Sequence, residues 1–310
     1  MEVRKYISLK GFLRIIAGGV FIYSAVAKLI SADAFELFVF GHKLFNWDIA
    51  TILARLVIGF EFVLGLLLVF KFYVKKTSLV SILTLISFSV YLLYLHFFGS
   101  NTENCFCFGQ EFQLPPLESV GKNIVLLILL VFVYRGAADL EFRFKKWSAI
   151  ALVIIAFAVP VIVSPPDVIF LGKYAYDSYN DDGKLDVDLI KNSLEAERTL
   201  ELGEGKEIIC FFSTKCQFCK MASQRLSVIN QRHENGIRIS YVFFGEDETM
   251  EQFWEESKSD RYPWGFVPPN VFFDLSGKSL PAIFLLEDGV IKAKYGYRTI
   301  DEDYINSFFE

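Results

Sequence analysis

Five cysteines punctuate the chain, and four of them fall into close pairs, Cys105-x-Cys107 and Cys216-Gln217-Phe218-Cys219. Such spacings suit thiol–disulfide exchange or soft-metal binding, and they are too sparse for a disulfide-scaffolded secreted domain. For chemistry at Cys216 the sulfur must be a thiolate. A position just after a strand and at the start of a helix supplies this, because the unpaired N–H groups and the positive helix end favour negative charge. Cys219, one helical turn on, can then resolve a mixed disulfide. A zinc knuckle would need a second close Cys or His pair, and His233 is the sole histidine after residue 100, so no metal is expected there. Cys210, set among Ile208, Ile209, Phe211 and Phe212, reads as a core thiol.

The elements needed to position the CxxC are legible around it. Glu207–Phe212 is a short apolar, β-rich run, so a buried strand, followed by a turn and a helix from Cys216 to about His233. A strand over Ile237–Phe244 and a helix over Glu248–Ser257 come next. Ala282–Leu286 and Val290–Tyr297, joined through Asp288-Gly289, form a hairpin, and Asp301–Phe309 is a closing helix. Asp260–Gly277 reads as an added loop near the active edge. Its Tyr262, Trp264 and Phe266 are either packed against the domain or a docking surface.

The rest of the chain has a different solvent. The sequence is 53% hydrophobic with 33 phenylalanines among 310 residues, and the excess lies before Ser164. A helix crossing a bilayer needs about 20 apolar residues. Gly11–Ile30, Ile49–Phe70, Ser78–Phe98, Ser119–Tyr134 and Trp147–Val163 meet or approach that requirement. The flanks holding Arg4, Lys5, Lys10, Lys71, Lys75, Lys76, Arg135, Arg143, Lys145 and Lys146 alternate with flanks holding only Lys43. By the positive-inside rule the N-terminus is cytoplasmic, and five spans place residues 165–310 outside, together with Cys105 and Cys107. In a bacterium this is a multi-pass protein of the inner membrane with a periplasmic C-terminal domain. Ala25–Lys28 also offers a signal-peptidase-like site, which would not alter the remaining topology. A net charge of −5 without a basic patch argues against nucleic acid as a partner.

Arg14, Lys28, Arg55, Glu61 and Lys122 fall inside these spans. Arg14, Lys28 and Lys122 lie near span ends, where snorkelling is cheap. Glu61 lies mid-span and must be protonated or paired. Antiparallel packing of the first two spans brings Arg14 within about two turns of it in depth, so an Arg14–Glu61 pair is expected. Lys28 and Arg55, toward the outer ends, are candidate cations for stabilising a CxC thiolate.

Two resemblances join these observations. Arg14-x3-Gly18-x2-Phe21-x2-Ser24-x3-Lys28 with Glu61-x3-Gly65 resembles the first helices of DoxX-like membrane proteins, and Cys105-x-Cys107-Phe108-Gly109 adds a likeness to their MauE-like redox branch. The resemblance, over roughly residues 10–135, implies a four-helix bundle linked to disulfide chemistry. From Glu207 to Phe309 the chain resembles thioredoxin-like proteins of the TlpA/thioredoxin group. That implies Cys216 as nucleophile, Cys219 as resolving thiol and Pro281 as a cis-proline beside them. The position of that group's buried acid, six residues before the first cysteine, is Cys210 here, so proton removal from Cys219 needs another route, with water or Glu204 as candidates.

The expected organisation is an α-helical membrane bundle over 1–164, a linker over 165–206 and an α/β thioredoxin-like domain over 207–310. Cys105-x-Cys107 has three readings: a redox pair, a structural bridge closing little loop, or two thiolates for Cu(I). The expected function is a membrane-bound thiol–disulfide oxidoreductase passing electrons between CxC and CxxC and serving extracytoplasmic thiol or disulfide proteins. The thioredoxin-like domain needs no cofactor, and a membrane quinone is a candidate partner of the bundle. The alternatives are a Cu(I)-binding metallochaperone-like protein and a membrane anchor for a thioredoxin module.

Overall fold

A computed structural model describes residues 2–98, 115–136, 138–141, 143–167, 183–194, 200–233, 236–244, 249–277 and 279–310. Cys105 and Cys107 lie outside the described residues. The chain divides into two compact units, one of residues 1–39 and 51–166, the other of Phe40–Ala50 with Asp167–Glu310.

Among the described residues, five helices are long and apolar enough to cross a membrane. They are α1 (Glu2–Ile30), α3 (Trp47–Val69), α4 (Val74–Phe98), α5 (Pro116–Arg135) and α6 (Lys145–Val163). The expected spans are thus present with ends moved by a few residues. Between the first two lies a short helix, α2 (Ala32–Gly41), that the hydropathy pattern alone does not separate from its neighbours. Leu64, Leu68, Leu126 and Leu130 pack with Ala17 and Phe21 inside the bundle, while Ile154, Ile162 and Val163 point outward. A surface this apolar suits lipid rather than water.

Helices α1 and α3 touch through glycine. A Cβ on Gly18 would stand 2.8 Å from the Gly65 carbonyl oxygen, and one on Gly65 would stand 2.8 Å from that of Gly18. Neither contact is sterically tolerable, so both motif glycines are required for close backbone approach.

The charged residues pair differently from expectation. Arg14 does not meet Glu61; it donates to the carbonyls of Leu68 and Val69, the latter at 2.8 Å. These lie at the C-terminal end of α3, where backbone acceptors lack helical partners and the dipole is negative. Glu61 instead accepts from Lys28 Nζ through both carboxylate oxygens at 2.9 Å, and Ser24 Oγ lies 2.7 Å from the same nitrogen. Lys28 is therefore buried and paired rather than snorkelling. Arg55 forms a buried ion pair with Glu36 and donates to Ser164 O at 2.7 Å and Ser164 Oγ at 3.0 Å. Each of the two cations proposed for the CxC thiolate thus faces a carboxylate, which cancels most of its field.

A buried pair is costly to break and cheap to replace. Lys28→Met or Glu61→Gln alone should destabilise the bundle by about 3 kcal/mol, and the double variant should recover most of that loss. Unfolding in mixed micelles measures this, and a double variant no better than the singles would contradict the pairing.

The second unit contains a five-stranded sheet in the order β3-β2-β1-β4-β5. The strands are β1 (Lys206–Ser213), β2 (Ile239–Phe244), β3 (Trp264–Phe266), β4 (Ala282–Glu287) and β5 (Val290–Tyr295). β1 pairs parallel to β2 and antiparallel to β4, and β2 pairs parallel to β3. The helices are α7 (Val187–Ser193), α8 (Gln217–Arg232), α9 (Met250–Ser257), α10 (Pro269–Ser276) and α11 (Glu302–Phe309). β1 is central and buried from Glu207 to Phe212, which explains its unbroken apolar run. One of its faces sets Ile209 and Phe211 against Val242, Phe272, Phe284 and Leu286. The other sets Phe212 against Tyr241, Phe243 and Phe253. The hairpin turn has Asp288 at φ 49° and Gly289 at φ 76°, the left-handed pair that a two-residue turn requires.

Asp260–Gly277 is not an added loop. It supplies the edge strand β3 and the helix α10, and Tyr262 and Phe266 are buried. Those two aromatics complete the core, so the docking-surface reading does not hold for them. Short strands framed by Pro263 and Pro268 lack the length that makes a β pattern visible.

Candidate functional site

Cys216 is the N-cap of α8, in extended conformation at the exit of the turn after β1. Its Sγ accepts from the backbone N–H of Cys219 at 3.2 Å, filling one of the donor positions that a helix start leaves open. A hydrogen bond from the Cys219 thiol is the largest influence on Cys216, with the amides of Cys219 and Phe218 and the Lys220 charge adding to it. Together they outweigh partial burial and hold the Cys216 thiol down to about 7. Cys219 is fully buried, and burial first, then its bond to Cys216, pushes its pKa up. The pair is thus polarised: an accessible thiolate and a protonated thiol behind it.

The peptide Leu280–Pro281 is cis. Ala282 stands opposite Phe211 in the antiparallel register, so Pro281 enters β4 at the sheet end where β1 delivers Cys216. Cys210 has no exposed surface, and burial raises its pKa well above that of an ordinary thiol. It lies opposite Tyr241 in the parallel register. Tyr241 exchanges a 2.9 Å hydrogen bond with Ser223. Glu204 precedes β1 at the opposite end of the strand, about 20 Å of rise from Cys216, and cannot be the acid that serves Cys219.

Several neighbours escaped the sequence reading. Lys220, beside Cys219, pairs with Glu256 of α9 at 2.6 Å. Arg225 is buried on the apolar face of α8, donating to the carbonyls of Tyr297 at 2.8 Å and Ile300 at 2.7 Å. A signal was present: Ala222, Arg225, Leu226 and Ile229 follow helical core spacing, so Arg225 interrupts an apolar stripe. Phe218, between the two cysteines, is 47% exposed and packs on Tyr297 with ring centroids 5.8 Å apart.

A parallel three-strand half with an antiparallel hairpin, a CxxC capping the helix after the central strand and a cis-proline opening the adjacent strand define a thioredoxin-like unit. The chain is accordingly a multi-pass membrane protein that carries a thioredoxin-like domain. Residues 5–136 match the family described as Methylamine utilisation protein MauE. Over 93% of its length the chain is similar to Protein TlpB of Flavobacterium psychrophilum, at 24% identity and with 91% of that protein covered. Among solved structures it is similar to a thiol:disulfide interchange protein from Bacteroides sp., with 19% identity, 34% of this chain and 74% of that chain covered, and a TM-score of 0.29. A secreted Mycobacterium tuberculosis disulfide oxidoreductase, described as homologous to E. coli DsbE, matches at 12% identity over 33% of this chain and 78% of that one, with a TM-score of 0.28. The fold assignment stands on strand order and the placement of the motif rather than on these overlaps.

Proposed function

We propose that the protein is a membrane-bound thiol–disulfide oxidoreductase of the bacterial inner membrane, with its thioredoxin-like unit in the periplasm. The observation that carries this reading is the polarised pair, in which the Cys219 amide lies 3.2 Å from Cys216 Sγ while Cys219 itself is buried. The Cys216 thiolate attacks one sulfur of a partner disulfide. A mixed disulfide forms and the other partner sulfur leaves as thiolate, taking up a proton. Cys219 then loses its proton, attacks Cys216 and releases the second partner thiol. Two electrons pass to the partner and Cys216–Cys219 becomes a disulfide; the reverse sequence oxidises a dithiol. Pro281 flanks the exchanging sulfurs. In this reading Cys105 and Cys107 form the second redox pair and exchange with Cys216, and extracytoplasmic thiol proteins are the outer partners. MauE-type helices at the N-terminus support the link between bundle and disulfide chemistry.

An impermeant maleimide applied to intact spheroplasts tests topology and redox state together. In a chain carrying Cys105→Ser and Cys107→Ser, it should after reduction label Cys216 from outside without lysis, and labelling should vanish when Cys216→Ser is added. Labelling that requires lysis would place the domain in the cytoplasm, where the proposed function fails.

A further inference from the structure

The compact unit that holds the CxxC is not confined to the C-terminal part of the chain, because Phe40–Ala50 belongs to it. Trp47 is 4% exposed, and the Arg225 guanidinium lies over its ring at 3.6 Å from the centroid. Two turns further along α8, Arg232 lies over Phe40 at 4.4 Å and donates to the Phe45 carbonyl at 2.7 Å. The helix that presents Cys216 therefore has two arginines seated on aromatic rings of this one segment, an arrangement that is strong when desolvated. Trp47 also meets Tyr297 edge-on, with centroids 6.0 Å apart, and Tyr297 packs on Phe218 at 5.8 Å. Phe218 in turn contributes one of the amides that face Cys216 Sγ.

We propose that Trp47 is a positioning residue for the redox motif: its ring, acting through Tyr297 and Phe218, holds the α8 N-terminus in the geometry that supports the Cys216 thiolate. The segment Phe40–Ala50 is then a brace of the redox unit rather than a plain connection between helices. This rests on Cys216 being the active nucleophile, and it goes further in making its reactivity depend on a residue far away in sequence. The packing is contiguous and dense, so displacement at one ring is transmitted to the next. Trp47 touches neither sulfur, and its effect is indirect.

The test uses the full-length chain in detergent or nanodiscs and follows Cys216 alkylation against pH. Trp47→Leu keeps the site apolar and removes less volume than Trp47→Ala while removing the aromatic contacts, so it guards against a Trp47→Ala variant that does not fold. Trp47→Leu should move the Cys216 midpoint upward by about half a unit, which is about a threefold lower thiolate fraction at pH 6. Trp47→Phe, which keeps a ring, should restore most of the wild-type profile. In a Phe218→Ala background, Trp47→Leu should have no further effect, because the stack is already cut. A wild-type midpoint near that of a free thiol would refute the nucleophile assignment itself. A low wild-type midpoint that Trp47→Leu leaves unmoved, Leu and Phe variants alike, or additive effects with Phe218→Ala, would overturn the brace alone.

Discussion

Cys219→Ser should turn a transient mixed disulfide into a species that accumulates, joining Cys216 to Cys105 or Cys107 within one chain. In the proposed exchange the partly buried Cys216 attacks and the buried Cys219 resolves, so removing Cys219 stops the reaction after its first bond exchange. The product is intramolecular. It should migrate faster on non-reducing gels and yield one cross-linked peptide that reductant splits. A protease site placed within 168–182 would leave two fragments held together until reduction. Alkylation of the released thiol in the Cys219→Ser species, followed by fragmentation of its cross-linked peptide, identifies the sulfur attacked, since the other CxC sulfur leaves as a free thiol. Cys216→Ser should remove every form of the link and lower exchange with any disulfide substrate by at least about 100-fold. If Cys219→Ser gives no cross-link to either CxC sulfur, the pairs do not exchange directly and the bundle serves as an anchor.

The three described cysteines should differ by orders of magnitude in alkylation. With Cys216 held at about 7, half of it is thiolate at pH 7. A free thiol at ~8.5 would be ionised to only about 3% there. A lower pKa also weakens the nucleophile, by about fivefold over this interval, so the net advantage at neutral pH is only about threefold. The informative measurement is therefore the midpoint, near 7 rather than 8.5, together with a lead that widens to about sixfold at pH 5. Cys219 and Cys210 should react at least about 100-fold more slowly in the folded chain, because burial holds both as thiols, and both should become reactive on denaturation. The depressed Cys216 pKa also ties stability to pH. Its contribution to the folded dithiol form is complete above the ordinary thiol pKa and is lost as pH falls through about 7. The stability difference between wild type and Cys216→Ser should accordingly shrink from pH 8 to pH 6. Equal alkylation of Cys216 and Cys219 would leave no basis for assigning the nucleophile.

Local features fixed a large part of this protein. Span lengths and Lys/Arg flanks follow from the cost of placing polar groups in lipid, so the five long apolar helices are written in composition. The CxxC at a strand–helix junction and the Asp288-Gly289 hairpin are equally local, because both depend on neighbouring backbone geometry. Even Pro281 was pointed to by its place before an apolar strand and by family resemblance.

What tertiary structure decided was partnership. Arg14 and Lys28 lie on the same helix, and composition cannot say which of them meets Glu61. The Gly18–Gly65 contact sets the register of α1 against α3 and puts Arg14 level with Val69, about 12 Å of rise from Glu61. Side chains on a helix also lean toward its N-terminus, so in this antiparallel pair Lys28 and Glu61 lean toward each other while Arg14 leans away. Long-range packing likewise made Asp260–Gly277 a strand and a helix, because an edge as short as Trp264–Phe266 is stabilised by β2 rather than by its own pattern. The CxxC and its place at a strand–helix junction are legible in the sequence, and the roles expected of its two sulfurs follow from that placement and from the family resemblance. That Trp47 lies beneath Arg225 of the same helix depended on contacts across 178 positions, which no local period encodes.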